Sequence, residues 1–159
     1  MPGIRLAIMR VTDARASVSG MTPSQAPGAL TPVSLSNAHF VSLTTFRRSG
    51  VGVSTPVWIA RFGTFVVITT PAESGKVKRL RNDARVELRP CDRRGAVKPG
   101  APTVQGVAEI LSEPEAVTRH EAVFARKYGF EYRVFMLIER IALRGKPARR
   151  VILRIAAPH

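Results

Sequence analysis

A single cysteine, Cys91, in 159 residues leaves no intrachain disulfide and no metal site built on clustered thiolates. Aromatic residues make up only 6% of the chain, and neither an RNP-type aromatic strand nor a zinc-finger spacing occurs. Specific nucleic-acid recognition therefore has no support beyond charge. No apolar run approaches the length of a membrane span, and the patch Leu6–Met9 is too short for the core of a secretory signal. Secretion is not expected, and a reducing cytoplasm suits the lone thiol. Acidic residues are scarce as well: 11 Asp and Glu stand against 25 Lys and Arg, giving +14 and a pI near 11.5. Such a field attracts nucleic acid, anionic membrane or phosphorylated ligands without choosing among them. Arginine outnumbers lysine, and the codon bias of a GC-rich genome would account for part of that excess.

What is present is a globular composition. Hydrophobic residues are 45% of the chain, and its length suits one domain with a real core. Residues 1–35, rich in Ala, Ser, Thr, Pro and Gly and without a sustained period, read as a poorly ordered leader. Met21 has the context of a translation start; a native peptide spanning residues 5–20 in mass spectrometry would reject it. From His39 the pattern turns to short strands over residues 39–46, 51–60 and 64–70. Joined by tight turns, these predict an antiparallel meander. In the middle strand Val51, Val53, Thr55, Val57 and Ile59 share one face, with Gly52, Ser54, Pro56, Trp58 and Ala60 on the other. Pro56 lacks an N–H, so this strand is an edge, is bulged, or faces a ligand.

A short basic helix follows, starting at Thr70 or at Ser74, with Val77, Leu80 and Ala84 as its apolar stripe. A start at Ser74 would leave free N–H groups near Gly75 and Lys76 as an anion site. Strands are predicted again at residues 85–91, 103–111 and 150–156, with a helix opening at "SEPE" and running to about Lys127. Residues 132–143 have helical periodicity and an apolar density that also permits a strand. The sum is mainly β with some α: a six-stranded antiparallel barrel with two or three peripheral helices over residues 36–159.

Familiar catalytic constellations are missing. "SGK" at Ser74–Lys76 lacks the preceding glycine of a P-loop, and Val77 replaces its Ser or Thr. His39, His120 and His159 stand alone, so no metal is assigned. No local signature pairs a nucleophile with a base, and no catalytic group can be named.

The order of "STPVW", "SGKVKRLRNDARV" and "PCDRRG" nevertheless resembles the PPOX-class, deazaflavin-dependent oxidoreductases. These belong to the split β-barrel flavin superfamily that includes pyridoxamine-phosphate oxidase. The resemblance covers about residues 36–156. It implies a split barrel and a homodimer with cofactor clefts at the subunit interface. It further implies that Ser54, Thr55, Pro56, Val57 and Trp58 line the tricyclic ring. Thr69, Thr70, Ser74, Gly75 and Lys76 would hold the cofactor phosphate, with Arg79 or Arg81 at a cationic mouth. The form of the motifs is most similar to the branch that uses coenzyme F420, whose acidic tail would suit a rim of Lys78, Arg81, Arg93, Arg94 and Lys98. The implied activity is hydride transfer from reduced F420 to an electron-poor small molecule. Alternatives within the superfamily are a non-catalytic F420-binding or storage protein, an FMN-dependent enzyme like pyridoxamine-phosphate oxidase, and, in some branches, haem binding.

Overall fold

The computed structural model describes residues 30–146 and 148–159. The expected start at Met21 and residues 1–29 of the expected leader lie outside them. Of the leader's last residues, Pro32–Leu35 form a 3-10 turn, and Leu35 is buried in the main core.

Seven antiparallel strands form one sheet: β1 (Phe40–Phe46), β2 (Gly52–Trp58), β3 (Ala60–Phe62), β4 (Phe65–Pro71), β5 (Arg85–Cys91), β6 (Val104–Leu111) and β7 (Arg150–Ala156). Their order is β2-β1-β5-β6-β7-β4-β3. The architecture is the expected mainly-β split barrel, with seven strands in place of six. The extra strand comes from residues 51–60, read from sequence as one strand. The chain leaves the sheet at Ile59, so β2 pairs with β1 at one end of the order and β3 pairs with β4 at the other. The expected meander is thus broken, and one residue links the two ends of the sheet. Pro56 sits on the edge strand, opposite Ser42 in an unbroken register, where its missing N–H costs no ladder bond to a further strand.

Period-two burial sets the inner face. Val104, Gly106 and Ala108 of β6 point inward, while Gln105, Val107 and Glu109 are exposed. The main core fills the barrel with Val41, Leu43, Ile68, Leu88, Leu153 and Ile155. β4 and β7 are buried on both faces, because a second cluster packs Val67 and Ile152 against Phe124, Tyr128 and Tyr132. Those aromatics come from α2 (Pro114–Tyr128) and α3 (Phe130–Ala142), so the ambiguous apolar segment is a helix. Gly129 alone separates the two helices, at φ +53°, a left-handed angle that favours glycine. The short basic helix α1 (Gly75–Leu80) takes the later of its two predicted starts, with Ser74 before it.

Gly106 is where β6 passes closest to its neighbours. A Cβ there would lie 2.7 Å from Ile155 Cγ2 and 3.1 Å from the Ala156 carbonyl oxygen. Backbone cannot yield as a flexible side chain would, so Gly106→Ala is expected to cost roughly 1–2 kcal/mol of stability by overpacking. Chemical denaturation would measure it; an unchanged midpoint would show that the strands can move apart freely.

Candidate functional site

A cleft of about 680 Å³ opens between the end of β2, the β4–β7 pair, α1 and α3. Pro56, Val57 and Trp58 form one side, and Thr69, Thr70, Lys76 and Arg150 form a polar end. Val134, Phe135 and Ile138 of α3 make an apolar wall, with Phe130 at its start.

Each polar group is placed by its strand or turn. Arg150 opens β7 opposite Pro71, which sets it beside the end of β4. Its Nε donates to Thr69 Oγ1 at 2.9 Å, and its Nη1 donates to Glu139 Oε2 at 2.6 Å. Glu121 Oε1 lies 3.8 Å from the Nε. Lys76 Nζ donates to Thr70 Oγ1 at 3.3 Å, and that hydroxyl donates to Ser74 Oγ at 3.4 Å. Burial, followed by the fields of Arg79 and Arg150, pulls the Lys76 pKa below the usual lysine value. A neutral hydroxyl at that distance offsets little of this, whereas an anion would favour the ammonium directly. Burial pushes the Glu121 carboxyl up, Arg150 pulls it down, and Glu139 adds a smaller upward push.

Trp58 gives the cleft its flat surface. Its ring stacks on Tyr128 at 5.1 Å between centroids and meets Phe135 edge-on at 4.8 Å. Its Nε1 is buried without a hydrogen-bond partner among the described residues.

Six of the residues expected from sequence meet at this cleft: Pro56, Val57, Trp58, Thr69, Thr70 and Lys76. The others do not line it. Ser54 is on the outer face, where its hydroxyl is 2.7 Å from that of Thr44. Thr55 belongs to the opposite face of β2, and its hydroxyl is buried without a partner among the described residues. Ser74 touches the site only through Thr70, and Gly75 is exposed. Arg79 does not line the cleft, although its field reaches Lys76; its Nε donates to Thr45 Oγ1 at 2.8 Å. Of the expected rim, Arg93 lines the cleft; Lys78, Arg81, Arg94 and Lys98 are exposed elsewhere. Sequence reading missed Arg150, Glu139 and the α3 wall. Their signals were a cation heading the largely apolar strand "RVILRIA" and an apolar helix face too wide for its own core.

The family model for pyridoxamine 5'-phosphate oxidase matches residues 33–157, most of the chain. The chain belongs to that family. Among solved structures, a conserved hypothetical protein of Mycobacterium tuberculosis is 25% identical, with TM-score 0.57, over 79% of this chain and 76% of that one. The heme storage protein HutZ of Vibrio cholerae is 11% identical, with TM-score 0.57, over 77% and 84%. An F420 reductase is 19% identical, with TM-score 0.49, over 79% and 90%. A search of curated proteins finds no match.

Proposed function

We propose that this cleft binds coenzyme F420 and that the protein is an F420-dependent reductase acting on an electron-poor small molecule. The observation that carries the reading is the cleft's polarity. A flat apolar half at Pro56, Trp58 and α3 leads into a cationic end at Lys76 and Arg150, matching a tricyclic ring joined to a phosphodiester. The depressed, poorly partnered Lys76 ammonium fits an anion. When bound, F420 supplies the hydride chemistry. The chain's own residues would hold the ring against the low edge of β2, shield it from water with α3, and anchor the phosphodiester through Lys76 and Thr70. The surplus of +14 suits the cofactor's acidic tail better than it suits FMN alone.

Binding of F420 and FMN, titrated side by side, tests this. F420 is expected to bind at micromolar concentration or tighter, and Lys76→Ala to weaken it about tenfold or more, the loss of one charge-assisted contact of ~1.5–3 kcal/mol. Preference for FMN would replace the cofactor assignment. Tight F420 binding without oxidation of the reduced cofactor by a panel of acceptors would instead mark a storage protein.

The same reading makes the protein a cytoplasmic homodimer. Leu137, Ile138 and Ile141 are 57%, 60% and 68% exposed on α3, continuous with the cleft wall, and a second copy would cover them. Ile141→Glu is expected to convert the dimer to a monomer in light scattering; a variant that stays dimeric would place the interface on another face.

A further inference from the structure

Two titratable groups at the cleft take no part in its cationic end. His39, just ahead of β1, and Glu131, in the first turn of α3, both line the cleft. His39 Nε2 lies 3.0 Å from Glu131 Oε2. The imidazole is packed from two sides: it meets Tyr128 edge-on at 4.9 Å and Phe40 at 5.0 Å between centroids. Trp58 stacks on the same Tyr128 ring and is the register partner of Phe40. The pair therefore stands beside the cleft's flat surface. α1, which carries Lys76, packs toward the other end of β1. There Arg79 binds Thr45, six residues beyond His39 and roughly 20 Å away along extended chain. The His39 and Glu131 side chains are 54% and 64% exposed, so the pair contributes little to stability and exchanges protons freely with water.

We propose that the His39–Glu131 pair is the proton source for an acceptor reduced at a polarised double bond beside Trp58. This role rests on the F420 reading of the cleft. The acceptor's electron-poor atom gains a hydride, with the two electrons lost by the reduced deazaflavin. The displaced π pair moves to the neighbouring atom and forms its new bond to a proton from the His39 imidazolium. Glu131 orients the ring and, by accepting from Nε2–H, sets which nitrogen stays protonated. With Nε2 engaged, the transferable proton is the one on Nδ1, and water replaces it after each turnover. Of the other cations lining the cleft, Lys76 and Arg150 belong to the far, cationic end. Arg93 is a guanidinium, which does not give up its proton in proteins.

The pair is tested first without any cofactor. Ring-nitrogen resonances of His39 should show Nε2 protonated in the neutral ring. Glu131→Ala should shift them while those of His120 and His159 hold; unshifted resonances would overturn the proposal. His39→Ala keeps the backbone carbonyl that Tyr128 binds, so the fold should survive. Its affinity for F420, titrated by fluorescence, is expected to stay within about twofold of wild type. Single-turnover oxidation of reduced F420 by a panel of enones, quinones and nitroarenes should slow about a hundredfold. Added imidazole should restore part of that rate, which a merely structural role does not predict. An undiminished rate, or a loss that imidazole cannot repair, would overturn the proton source and leave the cofactor reading intact. If His39→Ala does not fold, His39→Gln replaces it and the rate alone decides. Should wild type not bind F420, or should its bound reduced F420 meet no acceptor, the reductase reading falls and the proton source falls with it.

Discussion

Between pH 10 and pH 12 the folded state is expected to lose roughly 4 kcal/mol of stability, through its two tyrosines alone. Burial pushes both Tyr128 and Tyr132 up from 10 to about 12. In the unfolded chain each phenol releases its proton near the ordinary value; in the folded chain each retains it for about two further pH units. Over that interval the folded state binds more protons, so stability falls as pH rises, by up to about 1.4 kcal/mol per unit for each tyrosine. Well below pH 10 both states are protonated and the contribution is complete. The total is comparable with the whole stability of an ordinary domain, so alkaline unfolding should be cooperative. Tyrosinate absorbance should then appear together with a change in the fluorescence of Trp58, which stacks on Tyr128. Smooth ionisation near pH 10 with the Trp58 signal intact would show that the phenols are not held from water. Tyr132→Phe should roughly halve the pH dependence.

Tyr128→Phe is expected to destabilise the protein by roughly 2–3 kcal/mol at neutral pH. The Tyr128 hydroxyl accepts from the Ile59 N–H at 3.1 Å, and it lies 2.6 Å from the Ile59 carbonyl and 2.8 Å from that of His39. Ile59 is fully buried and belongs to no strand, so its amide has no ladder to join; without the phenol that donor is left dry. Lys127, one residue before, binds the carbonyls of Ser36, Ala38 and Ile59 at 2.7, 2.7 and 2.6 Å. The end of α2 therefore supplies side-chain partners at the point where the sheet supplies none. Denaturant unfolding of Tyr128→Phe would measure the loss; a change within a few tenths of a kcal/mol would mean that another group or water serves Ile59.

This crossing also marks the limit of what could be read from the sequence. The alternation through residues 51–60 was legible, and the inward face of Val53, Thr55 and Val57 followed from it. Nothing in that alternation shows that hydrogen-bonding partners change at Ile59, because the partner strands are distant in sequence and the side-chain period continues across the break. The polar end of the cleft was reached through the family resemblance, which picks out Thr69, Thr70 and Lys76 within one turn and its flanks. Arg150 was not, since it enters the site through strand pairing with β4, some eighty positions away. Arg79 shows the converse. Helical spacing makes it a neighbour of Lys76, but a tertiary bond to Thr45 decides where it points.

The strand order has a consequence for biosynthesis. β4 pairs only with the three-residue β3 and with β7. A ribosome that has released residues 65–71 must translate nearly eighty more before the other partner of β4 exists. Meanwhile one edge of Val66, Val67 and Ile68 remains open to any passing strand. β1, β2 and β5 can assemble early, so the nascent chain carries a half-built barrel with one adhesive edge. Translation speed through α2 and α3, rather than any property of the finished fold, sets how long that edge is offered.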